Sequence, residues 1–199
     1  MLREAVKDTQ AATTAARAEA QAIAKTRVEL NVRADDAQQY TNNNAPIQVP
    51  ETVIRKDNDF TSMVNTRGNP KASVDAQGNL NAANPNGTGS VYTHVQGNKP
   101  ADTPYISTTD TTLTGAPKNY GNNQVQIDTR QLQRDINTGN VSQDIQIVAP
   151  QKLQAELQAK VDAAQVKYDA NPSNRNLAAL NKANEVLGHA IRDGECLIK

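Results

Sequence analysis

Apolar residues are spread unevenly along the chain, and their periodicity is clearest toward its C-terminal end. Leu153, Leu157, Val161, Ala164 and Tyr168 recur at spacings of four and three, which places them in one stripe of a helix. Ala149-Pro150 opens that helix, with proline in a first-turn position where its missing N–H costs nothing. Asn171-Pro172-Ser173 breaks the chain and offers a cap. Leu177, Leu180, Leu187 and Ile191 then form the stripe of a second helix, with Gly194 as its natural stop. Glu195-Cys196-Leu197-Ile198 reads as a final strand.

Between Ser90 and Ala149 the pattern is shorter and richer in β-branched residues. Strands are predicted at Val91–Val95, Pro104–Thr108, Gln124–Asp128 and Ile145–Val148, separated by Gly, Asn and Pro. Asp128-Thr129 caps a short helix running through Ile136. The predicted domain, residues 90–199, is therefore α+β, with a small, mostly antiparallel sheet and helices.

Ahead of Ser90 the texture is different. Residues 3–38 are rich in Ala, Glu, Gln, Lys and Arg and contain no Gly or Pro, which favours a helix. Its apolar face is thin (Val6, Ala15, Ala16, Ile23, Leu30), so it needs a partner surface. Residues 1–40 read as a helical leader and 41–89 as a polar, mostly irregular linker. Within the linker, Pro46 to Arg55 carries two prolines and is expected to be at most an edge strand. A short hairpin is expected around Gln77-Gly78-Asn79.

Composition supports the division. The hydrophobic share is 37% over 199 residues, with no Trp, one Phe and five Tyr. A globular domain usually carries about 45–50%, so part of the chain is expected to lie outside a core. Charge is balanced on both sides of the boundary, with ten basic and ten acidic side chains through Ser90 and eleven of each after it. That balance gives no basic patch for broad electrostatic binding to nucleic acid or an anionic membrane. The single cysteine, Cys196, rules out an internal disulfide framework. No segment has the length and apolarity of a signal peptide or a bilayer span.

Few side chains suggest chemistry. One Cys and two His in no ligand spacing make no recognisable metal site. There is no G-x-S-x-G elbow, no G-x-G-x-x-G and no Walker loop. His189 lies on the flank of a helical stripe and reads as a boundary residue. His94 lies in Tyr92-Thr93-His94, on a predicted strand that ends at Gly97, a place where binding groups are often presented. Two further segments stand out: Tyr105-Ile106-Ser107-Thr108-Thr109, dense in hydroxyls, and Asp193-Gly194-Glu195, acidic and leading into the last strand.

Taken in this order, the three segments resemble the ADP-ribosyltransferase fold. In that family a first strand carries His or Arg, a second carries an aromatic or a Ser-Thr-Ser group, and a late strand starts with a catalytic Glu. The resemblance covers the chain from Val91 onward. It implies NAD as substrate, Glu195 as the catalytic carboxylate and Asp193 as the additional acidic residue two positions earlier. It implies that His94 holds the adenosine-side ribose or the pyrophosphate, and that Tyr105, with Tyr92 or Tyr120, stacks on nicotinamide. Ser107 and Thr108 would order the site through hydroxyl bonds to the Glu. A His on the first strand beside Ser-Thr-Thr on the second mixes two patterns of the family, and leaves open whether Tyr105 or Ser107 is the middle motif residue. With Lys199 four residues beyond Glu195, the last strand is expected at a sheet edge or in a domain that continues.

The layout also resembles the variable tips of polymorphic toxins of the Rhs and contact-dependent inhibition type. That implies a larger upstream delivery scaffold, secretion or delivery into a target-cell cytoplasm, a protein or nucleic-acid acceptor there, a cognate immunity protein, and no membrane partner. Two other readings stand beside it: a ribonuclease using His94 as general acid/base, and a non-enzymatic structural or adaptor segment attached through the N-terminal helix.

Overall fold

The computed structural model describes residues 48–114 and 120–199. The leader expected at residues 1–40 lies outside them. Among the described residues, seven strands and five helices follow in chain order. They are β1 (Thr52–Asp57), β2 (Ser73–Val74), β3 (Leu80–Asn81), α1 (Val91–Gln96), β4 (Ile106–Thr109), α2 (Thr111–Thr114), β5 (Asn123–Asp128), α3 (Thr129–Thr138), β6 (Ile147–Val148), α4 (Pro150–Ala170), α5 (Asn174–Arg192) and β7 (Glu195–Ile198). A single 3-10 turn, Pro100–Asp102, precedes β4. Five strands form one sheet in the order β5-β1-β4-β7-β6, with every pairing antiparallel. Strands β2 and β3 make a separate hairpin around Gly78, as expected.

The helices α4 and α5 form where the stripes predict them. Pro150 sits in the first turn of α4, and Ser173 caps α5 by accepting from Asn176 N–H. Leu153, Leu157, Leu180, Val186 and Leu187 close over one face of the sheet, against Val148 and Leu197. The opposite face is smaller: Val53, Ile106, Cys196 and Ile198, with Ala72 and the partly buried Leu80 and Leu132 packed there. Burial on both faces explains the unbroken Cys196-Leu197-Ile198 run, because a strand with two covered faces has no polar side to alternate with. Strand β7 therefore lies inside the sheet, between β4 and β6, so of the two alternatives the edge position does not hold. Cys196 is wholly inaccessible, and burial pushes its thiol up to about 12. A thiol reagent such as Ellman's is expected to leave Cys196 untouched in the native protein and to react fully in guanidinium, since only the exposed thiolate attacks.

Three further expectations are corrected. The boundary expected near Ser90 does not divide the fold, because β1 lies between β5 and β4 in the main sheet. Both prolines precede the strand, so nothing blocks its pairing on either side. Val91–Val95 is not a strand but the body of α1. Ser90 accepts from Thr93 N–H at its start, and Gly97 takes a left-handed φ of 74° at its end. These caps, with Val91 and Val95 four apart on the helical core, prevail over the β propensity of the residues. Among the described residues no helix is long and apolar enough to cross a membrane.

Candidate active site

Three neighbouring strands each bring one functional group to a common cleft of about 280 Å³. Strand β1 supplies Arg55, β4 supplies Ser107 and β7 supplies Glu195.

Glu195 is placed by the turn before it. Helix α5 ends at Arg192, and Gly194 reverses the chain with φ +52°, a region L side chains rarely enter. Gly194 O accepts from Asp110 N–H at 2.8 Å, which ties the turn to the end of β4. Glu195 then pairs with Thr109 as the first residue of β7. A Cβ on Gly194 would lie 2.8 Å from Asp110 O and 2.7 Å from Thr114 Cγ2. Gly194→Ala is therefore expected to lower the unfolding free energy by more than about 1 kcal/mol, from the strained φ alone, which a urea titration reads as a lower midpoint at unchanged slope.

The Glu195 carboxylate is 2% exposed. Ser107 Oγ donates to its Oε1 at 2.6 Å, while Oε2 is buried with no hydrogen-bond partner. A carboxylate oxygen removed from water without a partner is costly, so its retention points to use. Ser107 Oγ also lies 2.8 Å from His94 Nε2, and His94 Nδ1 is bonded to Thr103 Oγ1. The His94 and Tyr105 rings make a T-shaped contact, with centroids 5.6 Å apart and planes at 63°.

Arg55 is 9% exposed. Strand β4 meets β1 at the pair Ile54–Thr109, and beyond it Arg55 Nη1 donates to Ser107 O at 2.9 Å. Its Nη2 lies 3.5 Å from Asp57 Oδ2, and Lys71 Nζ holds Asp57 Oδ1 at 2.7 Å. Burial lowers the Arg55 pKa from the usual guanidinium value, opposed by the charges of Asp57, Tyr120 and Glu195. Burial also resists ionisation of Asp57, but bonds from Lys71 and the Asp59 N–H, with the charge of Arg55, outweigh it and hold the carboxyl below its ordinary value. This pairing therefore stabilises the fold above the ordinary carboxylate pKa, and that stability is lost as pH falls through the lowered folded-state value. Arg55 Nε is buried without a hydrogen-bond partner. The guanidinium sits 5.7 Å from the centre of the Tyr120 ring, at the cleft.

The sequence-predicted residues thus divide. Glu195, Ser107, His94 and Tyr105 come together at the cleft. Thr108 points to the other side of β4, where Oγ1 donates to Cys196 O at 2.7 Å, so it does not reach the Glu195 carboxylate. Tyr92 packs on the helical core and does not line the cleft. Asp193 caps α5, accepts from Arg192 Nε at 3.2 Å and is absent from the cleft lining. His94 reaches the site from a helix, with both ring nitrogens engaged by hydroxyls, in place of the predicted strand. Ser107, not Tyr105, contacts Glu195.

Arg55 was not foreseen. Its only signal is the buried alternation Val53-Arg55-Asp57, in which two of the three inward residues are charged and so break the apolar pattern. Among the described residues no cluster of His, Cys, Asp and Glu is arranged to hold a metal ion. No protein-family model, curated protein or solved structure matches the chain.

Proposed function

We propose that the chain is an NAD-dependent mono-ADP-ribosyltransferase, with Arg55, Ser107 and Glu195 as its site. One observation carries this reading: Glu195 is buried, held by Ser107 through one oxygen only, and keeps Oε2 unpartnered beside a cleft that also contains a buried guanidinium. Arg on the first strand, a Ser-Thr-Thr segment on its neighbour and Glu at the head of a late strand follow one pattern of the family that the sequence resembles. The mixed pattern that His94 suggested disappears once β1 is the first strand.

The residue types suit the reaction. Breaking the bond between nicotinamide and ribose C1′ sends the electron pair out with nicotinamide and leaves positive charge on the ribose. A preorganised carboxylate in a water-poor site stabilises that charge far better than water does. Glu195 Oε2 holds no hydrogen bond that the ribose would have to displace, while Oε1 stays with Ser107. The acceptor then bonds to C1′ and gives up its proton to solvent. Arg55, with Lys99 at the cleft, supplies cations for the diphosphate. Tyr105 and Tyr120 offer aromatic faces for flat rings. At about 280 Å³ the cleft lies near the lower end of ligand sites, which run from about 300 to 1,000 Å³. It suits the nicotinamide-ribose half, with the rest of NAD toward the opening. The engagement of both His94 nitrogens favours this chemistry over a ribonuclease with His94 as free general base.

The test is incubation with NAD labelled on its adenine side and a bacterial lysate. Label transferred to protein or nucleic acid, with matching nicotinamide release, is the expected result; an unchanged NAD pool rules the reading out. As the tip of a polymorphic toxin, the chain would also arrest growth when expressed in a bacterial cytoplasm, and an immunity protein would relieve that arrest.

A further inference from the structure

Ser107 has a single hydroxyl hydrogen and two neighbours that want to share it. The 2.6 Å bond to Glu195 Oε1 takes the hydrogen, because Ser107 Oγ is its donor. Ser107 Oγ must then accept from His94, 2.8 Å away, which requires the ring hydrogen to be on Nε2. The other side of the ring agrees. Thr103 Oγ1 already accepts from Tyr105 N–H at 3.3 Å and keeps its own hydrogen for His94 Nδ1. Thr103, itself 8% exposed, is fixed beside the 3-10 turn that precedes β4. Every donor in the series therefore points the same way: Thr103 to His94, His94 to Ser107, Ser107 to Glu195. Hydrogen bonds so aligned polarise and strengthen one another.

We propose that His94 is a positioning residue that acts through Ser107: as the neutral Nε2–H tautomer it fixes the Ser107 hydroxyl on Glu195 Oε1 and so leaves Oε2 for the substrate. The inference rests on the transferase reading for its kinetic consequence and on the hydrogen-bond geometry alone for the tautomer. It assigns His94 no contact with NAD, in contrast to the role implied by the family resemblance. Without the His94 donor, the Ser107 hydroxyl is free to rotate, and the carboxylate oxygen that meets the ribose loses its fixed orientation.

Glutamine and asparagine separate this role from simple packing. A Gln amide places its N–H₂ about where Nε2 stands and still reaches Ser107; an Asn amide is shorter and reaches only toward Thr103. In nicotinamide-release kinetics, His94→Gln is expected to keep kcat within about threefold, while His94→Asn and His94→Ala lose on the order of 10- to 100-fold in kcat with little change in KM for NAD. His94→Ala should add no further loss in a Ser107→Ala background, because the two act through one bond. The proposal is overturned if His94→Gln falls as far as His94→Ala, if KM rises at unchanged kcat, or if the His94 and Ser107 losses multiply. Imidazole ¹⁵N shifts give a readout that needs no turnover: Nε2–H in the native protein supports the inference, and Nδ1–H overturns it. Nε2–H in a chain that never cleaves NAD would sink the transferase reading and leave the His94–Ser107 pairing standing.

Discussion

Glu195→Gln is expected to lower nicotinamide release from NAD by on the order of 100- to 1,000-fold, the usual cost of removing one preorganised electrostatic group from a closed site. The substitution is nearly isosteric. A Gln carbonyl oxygen still accepts from Ser107 Oγ, so the Ser107 bond and the strand pairing with Thr109 survive. What is lost is the negative charge at Oε2, the atom that has no partner in the protein. The split between kcat and KM carries the diagnosis: a group that acts on a charge present only in the transition state changes kcat, not substrate affinity. Stability should move the other way. Burying a carboxylate with one oxygen unpaired is unfavourable, so the amide variant should unfold at an equal or higher temperature. A variant that is inactive because it fails to fold would show the opposite shift.

Arg55→Lys is the second large effect expected. The positive charge is kept, but the planar fork is not. Arg55 Nη1 donates to Ser107 O while Nη2 faces Asp57, and a single ammonium cannot hold both directions at those distances. The variant should lose on the order of 100-fold in kcat/KM for NAD, since the Ser107 backbone and the diphosphate cation both move. Because Lys71 still pairs with Asp57, the fold should survive the change. Arg55→Ala is harsher. It removes one partner of a buried ion pair, which costs about 3–5 kcal/mol when the other charge is left alone, and less here because Lys71 remains. If Arg55→Lys cleaved NAD at the native rate, Arg55 would be a purely structural cation and the three-strand site would lose a member.

What could be read from the sequence depended on whether local chemistry determines the element. Pro150, Ser173 and Gly194 punctuate α4 and α5 in ways a short window reveals, and both helices lie where their stripes put them. Glu195 and Ser107 were legible as candidates because an acidic turn leading into an apolar strand and a hydroxyl-rich strand are unusual on their own. Strand β1 was not legible. Its inward face is Val53, Arg55 and Asp57, and the pairing that makes two inward charges tolerable depends on Lys71, 14 positions beyond Asp57. A linker-like composition on either side hid the strand further. Helix α1 failed for a different reason: Val91, Tyr92, Thr93 and Val95 suit a strand by propensity, and only the caps at Ser90 and Gly97 settle the matter. These two misreadings were linked. Taking α1 as the first strand made His94 the first-strand cation and hid Arg55.

In the proposed transferase, the Glu195 carboxylate is held by Ser107 in a cleft that Arg55 also lines and acts on the nicotinamide–ribose bond of NAD. Its most direct test is the rate of nicotinamide release measured in parallel for the native chain and for folded Glu195→Gln, in the same lysate and at saturating NAD. The proposed site predicts steady release by the native chain and a rate for the variant lower by on the order of 100-fold or more. Equal rates, or no release from either protein, would contradict it.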